Sequence, residues 1–139
     1  MKLFWKSLFV VQWIIFSAAI YYFSSMPKVY YLPQKILDYD KLLHLTSFFF
    51  YGISTQLFVH TVFIKMKRFP QMLLVLIIGI IYPMSDEFHQ RFVPGRTSDI
   101  YDFISDLIGI ILSLFLFNLI LKWIDNFKES KESKDAKIS

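Results

Sequence analysis

Five carboxylates, two arginines and one histidine lie within residues 85–106 of this 139-residue chain. The flanking segments are long and apolar, so these charged groups lie where a membrane-spanning helix would leave a bilayer. An ionisable group at the centre of such a helix costs roughly 2.5–3.5 kcal/mol on insertion scales. Two guanidinium groups cannot neutralise five carboxylates, so the surplus must stay in water, hold a proton or contact a cation. Proton chemistry and divalent-cation binding are therefore the chemistries to consider.

The elements that must position these groups are four apolar runs, at about residues 7–26, 42–64, 69–85 and 103–121. Each is close to the roughly 20 residues that a helix needs to cross a bilayer. The third run contains Pro83, whose ring opposes the carbonyl of Gly79 and should kink the helix near its end. We therefore predict an all-α fold, an integral membrane bundle of four transmembrane helices.

The amino-acid composition agrees with a membrane protein and excludes sites that require cysteine. The chain is 55% hydrophobic and contains 16 Phe, 8 Tyr and 3 Trp, which is typical of a protein in lipid with aromatic anchors at the interfaces. With no cysteine there is no disulfide and no thiolate metal site. Residues 127–139 are charged and almost free of apolar side chains, so we expect a disordered tail after a membrane domain at residues 1–126.

The distribution of positive charge predicts the orientation. Four spans put both termini on one side, together with ten of the 15 Lys and Arg residues. The positive-inside rule makes that side cytoplasmic. It also accounts for the net charge of +4 without nucleic acid, which we do not expect as a partner. The segment at residues 85–106 would then face outward from the cell.

This orientation brings three helix ends together. The second helix begins with Lys41 and His44, the third ends near Asp86 and His89, and the fourth begins near Asp102. Polar residues follow helical spacing down one side of helix two and one side of helix four, and these two stripes should face each other because neither belongs in hydrocarbon. The stripes comprise Lys41, His44, Tyr51 and Thr55 in helix two, and Asp99, Asp102, Asp106, Gly109 and Ser113 in helix four.

Several of these residues also suit ordinary structural roles. Asp99 could cap helix four, with Asp102 at its third position, whereas Asp106 lies two turns inside and can cap nothing. Residues 93–96 form a predicted tight turn, and Arg96 should either clamp a carboxylate or phosphate or form a structural salt bridge. Arg91 could extend to the interface or bind lipid phosphate.

We predict two sets of candidate site residues. The alternative is that these residues only form a hydrogen-bond network at the membrane interface. For proton transfer or metal binding they are His44, Asp86, Glu87, His89 and Asp106. For substrate binding they are Lys41, Gln90, Arg91, Arg96 and Asp102. A divalent cation would explain the surplus carboxylates, with oxygen ligands suiting Mg²⁺, Ca²⁺ or Mn²⁺ and a histidine adding Zn²⁺.

The motifs resemble those of the VanZ-like membrane proteins. Asp40-Lys41 followed by His44 is similar to the family's DK-x-x-H signature, and residues 85–96, SDEFHQRFVPGR, are similar to its most distinctive motif. Asp102, Asp106 and Gly109 match a downstream D-x-x-x-D/N-x-x-G pattern, whereas Phe48 stands where many relatives have Tyr. The resemblance covers the second to fourth spans. It implies the membrane fold and compartment, and an association with resistance to the glycopeptide teicoplanin.

Three functional hypotheses remain open. The first is an outward-facing pocket that binds or acts on a cell-envelope molecule, such as a lipid-linked cell-wall intermediate or an anionic headgroup, by acid–base or metal-assisted chemistry. The second is a binding or assembly protein without turnover, whose partner could be a glycopeptide. The third hypothesis is a proton-coupled transporter. It is the weakest, because a proton path needs polar residues and the cytoplasmic halves of the helices carry few.

Overall fold

The computed structural model describes residues 2–27 and 39–136, and these residues form four α-helices and no strand. The helices are α1 (Lys2–Ser24), α2 (Asp40–Val62), α3 (Arg68–Gln90) and α4 (Ile100–Ala136). Most of the polar connection between α1 and α2 lies outside the described residues. The predicted all-helical fold is confirmed.

All four helices are long and apolar enough to cross a membrane. A helix of 23 residues, the length of α1, α2 and α3, extends for about 35 Å at a rise of 1.5 Å per residue, which exceeds the hydrocarbon thickness. Large apolar side chains such as Ile81, Phe115 and Trp123 are exposed on the bundle surface, where lipid would surround them. The chain is a multi-pass membrane protein.

The third helix is longer than its apolar run. It continues through Pro83 to Gln90, so it carries Asp86, Glu87 and His89 on its last turns instead of in a loop. Pro83 is buried within the bundle. Neighbouring helices can compensate for the backbone bond that a proline removes in a transmembrane helix, so the helix need not end there.

The fourth helix also continues past its predicted end. It runs to Ala136, through the segment for which we expected disorder. That segment contains no Gly or Pro and is rich in Lys and Glu, which are good helix formers, so a helix already nucleated in the membrane can extend. The division of the chain at residue 126 stays a prediction.

Helix α2 is the centre of the bundle. It packs most extensively on α4, and it also contacts α1 and α3. Gly109 of α4 lies so close to α2 that a Cβ atom would meet the backbone of Leu45, Phe48 and Phe49. Small residues at such positions let transmembrane helices approach closely. The core of buried apolar side chains comprises Phe48, Tyr51, Val59, Val75, Ile110 and Leu114.

Candidate functional site

A histidine and an aspartate join α2 to α4 at the centre of the candidate site. The Nδ1 atom of His44 lies 3.0 Å from Oδ1 of Asp106, and both side chains are buried. Gly109 follows Asp106 by almost one turn on the same face of α4, so the close approach of the two backbones brings this pair within hydrogen-bonding distance. The prediction that the polar stripes face each other is confirmed here.

A second charged contact lies one turn nearer the helix starts. The Lys41 ammonium lies 3.0 Å from Asp99 Oδ2 and 3.1 Å from Asp102 Oδ1. Asp99 also caps α4, since its Oδ1 accepts the backbone N–H of Tyr101 at 2.9 Å. The N–H of Tyr101, and then Lys41, lower the pKa of the Asp99 carboxyl below its usual value. The predicted capping role of Asp99 is confirmed, and Asp102 is an ion-pair partner.

Glu87 brings α3 into the same site. Its carboxylate is buried, and Oε2 accepts the backbone N–H of Asp99 at 3.1 Å. Its other oxygen, Oε1, is buried and has no hydrogen-bond partner among the residues that the structure describes, and the same is true of Oδ2 of Asp106. Each of His44, Glu87 and Asp106 offers one potential ligand atom, and these atoms lie within 4.8 Å of one another. Three helices therefore supply one compact cluster.

Asp86 and Gln90 form a neighbouring polar pair on α3. Both are buried, and the Gln90 amide donates to Asp86 Oδ2 at 3.0 Å. Gln90 Oε1 in turn accepts from Arg96 at 3.3 Å. The pair therefore connects the cluster region to the turn that follows α3.

Arg96 forms no salt bridge within the described part of the chain, whereas its predicted role in clamping a carboxylate or phosphate of a ligand stays a prediction. Its Nε donates to the carbonyl of Met26 at 2.9 Å and its Nη2 to the carbonyl of Phe23 at 3.0 Å. The guanidinium therefore binds the carboxyl end of α1 and contacts no carboxylate among the described residues. The turn itself forms as predicted, with Gly95 at a φ of 77° and the Arg96 N–H bonded to the Val93 carbonyl.

His89 and Arg91 lie away from the cluster. The Nε2 atom of His89 is 3.0 Å from the Ser25 hydroxyl, and its ring packs against Tyr21 with centroids 4.6 Å apart. Arg91 is exposed, with its guanidinium carbon 5.9 Å from the centre of the Phe88 ring. The structure thus places His89 against α1. The prediction that His89 joins the other titratable groups is wrong.

A cavity of about 320 Å³ adjoins the cluster between α1, α2 and α3. His44, Asp86 and Gln90 form part of its polar wall, whereas Ile20, Phe23, Leu43 and Phe48 are apolar. Ser24 also lines this cavity, and its buried hydroxyl has no hydrogen-bond partner in the described part of the chain. Ser24 was not predicted as a site residue, because nothing in the sequence of the first span distinguishes a polar face that would border the site.

A family comparison identifies the chain. A family model described as VanZ/LLP1 matches residues 3–121, which cover α2 and α3 completely, nearly all of α1, the first part of α4 and every residue of the cluster. The chain belongs to the VanZ/LLP1 family. Searches of curated proteins and of solved structures gave no match.

The charges of this VanZ/LLP1 site do not balance through its own side chains. Lys41 is shared between Asp99 and Asp102, so it leaves one of these charges over. Among the described residues, no Lys or Arg forms an ion pair with Asp86, Glu87 or Asp106, and Asp106 contacts His44. Isolated ionised carboxylates are costly to bury, so bound protons or a bound cation would stabilise this part of the site. The cluster can therefore either exchange protons or hold a metal ion.

Proposed function

We propose that this VanZ/LLP1 protein lies in a bacterial cell membrane with both termini in the cytoplasm and with the His44 cluster at the outer face. The positions of the basic residues support this orientation. The end of the bundle opposite His44 carries three basic residues: Lys65 and Lys67 between α2 and α3, and Arg68 at the start of α3. Such juxtamembrane Lys and Arg residues favour the cytoplasmic side.

Within this orientation, we propose that the protein binds a lipid-linked cell-envelope molecule in the cavity beside His44. One observation carries the proposal: a single cavity of about 320 Å³ has apolar walls on α1 and α2 and a polar wall that includes His44, Asp86 and Gln90. Ligand sites commonly combine an apolar lining with a few polar groups that fix orientation. The hydrocarbon part of the ligand would lie against Ile20 and Phe23, with its headgroup beside His44.

The polar wall favours a headgroup rich in hydroxyl or amide groups over a purely anionic one. Arg96 lines the cavity, but its guanidinium already donates to backbone carbonyls. Lys41, one turn before His44, is already engaged by two carboxylates. Asp86 would repel an anion, whereas it can accept hydrogen bonds from hydroxyl groups. A saccharide on a polyprenyl diphosphate, as in lipid-linked cell-wall intermediates, supplies such groups. A change in teicoplanin susceptibility would then be a consequence of this binding.

A non-catalytic assembly role is the second candidate, and Arg96 favours it. Its guanidinium is used within the chain to bind α1 to the turn after α3, so part of the distinctive motif has a structural role. Under this alternative the cavity would have no lipid-linked ligand, and the polar network would only hold the helices in place.

The test is binding of a polyprenyl-diphosphate-linked saccharide to the purified protein in lipid nanodiscs, measured by native mass spectrometry. Ser47→Trp should weaken binding at least tenfold, because Ser47 lines the cavity and the larger ring would fill it. Ser105→Trp is the matched control, since Ser105 does not line this cavity and bonds to its own helix.

The same measurement with polyprenyl diphosphate lacking the saccharide identifies the part of the ligand that is recognised. We expect much weaker binding of this lipid. Equal binding of the two lipids would contradict the headgroup assignment, and equal binding by Ser47→Trp and wild type would contradict the cavity as the site.

A further inference from the structure

The three buried residues His44, Glu87 and Asp106 offer one nitrogen and two carboxylate groups from three different helices. One potential ligand atom from each lies within 4.8 Å of the other two. The cluster shares His44 with the wall of the proposed envelope-lipid cavity, whereas Glu87 and Asp106 do not line that cavity.

Two buried oxygen atoms of this cluster have no hydrogen-bond partner within residues 2–27 and 39–136. They are Oε1 of Glu87 and Oδ2 of Asp106, and the residues are only 6% and 0% exposed. A buried polar atom without a partner costs about 1–3 kcal/mol, and more when the group is charged. Such atoms on two neighbouring carboxylates point to a proton or a cation that completes the site.

The charge of the cluster fits a doubly charged ion. With His44 neutral and both carboxylates ionised the three side chains carry two negative charges, which one divalent cation would neutralise. Lys41 is not available for this purpose, because it lies 3.0 Å from Asp99 and 3.1 Å from Asp102.

We propose that His44, Glu87 and Asp106 bind a divalent transition metal ion of the Zn²⁺ or Mn²⁺ type. An imidazole nitrogen favours these ions over Mg²⁺ and Ca²⁺, whereas carboxylates suit either class. Binding of the ion would replace the hydrogen bond between Nδ1 of His44 and Oδ1 of Asp106. Three protein ligands leave at least one coordination position for water or another molecule.

The surroundings of the cluster suit this role. Ligand atoms on one ion lie about 3–4 Å apart at bond lengths of about 2.1 Å, so a closure on the order of 1 Å completes the site. Glu87 Oε2 is already oriented by the backbone N–H of Asp99 at 3.1 Å, as outer hydrogen bonds commonly orient metal ligands. Glu87 also lines a second hollow of about 660 Å³, which gives an ion a route from the surface.

The experiment is metal binding by the purified protein after chelator treatment, with no envelope lipid present. Equilibrium dialysis against Zn²⁺ and Mn²⁺ and elemental analysis of the protein should give one tightly bound ion per chain, and Mg²⁺ should not compete. Glu87→Gln and Asp106→Asn should each weaken binding at least tenfold. Asp102→Asn is the matched control, because this buried carboxylate lies one turn from Asp106 but pairs with Lys41.

The wild-type protein alone can overturn the proposal, so it does not depend on the folding of the variants. Absence of saturable binding of either ion to the wild-type protein would contradict the metal site. Binding that Glu87→Gln leaves unchanged would show that the ion binds elsewhere. A wild-type protein that binds the metal ion but not the lipid-linked saccharide would refute the proposed function and support this metal site.

Discussion

Asp99 is a residue whose charge and capping roles can be separated by substitution. Its carboxylate accepts the N–H of Tyr101 and contacts Lys41, and both interactions lower its pKa below the ordinary value of 3.8. A lowered pKa in the folded state stabilises the fold fully above the unfolded-state value, and this contribution is lost as pH falls through the lower folded-state value.

Asp99→Asn should therefore keep the helix cap and remove only the charge, since Asn is also a good N-cap residue. The melting temperature of the variant in detergent should be slightly below that of wild type at pH 7. The difference should stay constant from pH 8 to pH 5 and disappear below about pH 3.8. A difference that changes between pH 5 and pH 8 would contradict this assignment.

Arg96 should contribute to stability through α1. Arg96→Ala removes two hydrogen bonds to the carbonyls of Met26 and Phe23, so we expect a loss of about 1–2 kcal/mol in the free energy of unfolding. Unfolding by SDS in mixed micelles measures this loss. Arg91→Ala is the matched control and should change stability by less than about 0.5 kcal/mol, because Arg91 is exposed.

The role of a residue could be predicted where it followed from the start of a helix or from the packing of one polar helix face on another. Asp99 followed from capping rules, and His44 and Asp106 followed from stripes that had to face each other. His89 could not be assigned in this way, because residues three apart on a helix differ in direction by about 60°, which is enough to reach a different neighbour. Its partner Ser25 directly follows α1, whose position relative to α3 has no sequence signal.

At the scale of the helices, Gly109 determines how closely α4 can approach α2. Gly109→Ala would place a methyl group against the backbone of Leu45 and Phe49, which cannot move independently of the helix. We expect a loss of about 1–3 kcal/mol in unfolding free energy and a weaker contact between His44 and Asp106. Leu112→Ala, on the exposed side of α4, should cost less in the same SDS unfolding assay.

Hydropathy predicted the existence of the helices more accurately than their ends. The apolar runs identify the part of each helix that lies in lipid, but backbone hydrogen bonding can continue into polar residues beyond it. For this reason α3 extends to Gln90 and α4 to Ala136, past the apolar runs that end at residues 85 and 121. The position of Asp86 and His89 at the end of the third helix was predicted, whereas the extension of α4 was not.

At the scale of the whole molecule, the orientation can be tested by cysteine labelling because the chain contains no cysteine. Thr97→Cys lies in the exposed connection before α4, at the same end of the bundle as His44. We expect a membrane-impermeant maleimide to label it in intact cells. Lys65→Cys, at the exposed turn between α2 and α3, should be labelled only after permeabilisation. The reverse pattern would refute cytoplasmic termini.

The central claim is that separate helices join His44 and Asp106 in one buried site, which a double-mutant cycle tests most directly. Unfolding free energies of wild type, His44→Gln, Asp106→Asn and the double variant should give a coupling energy of about 1 kcal/mol or more. The same cycle with His89→Gln in place of His44→Gln should be additive within about 0.5 kcal/mol. Additivity for His44 and Asp106, or equal coupling for His89, would contradict the account.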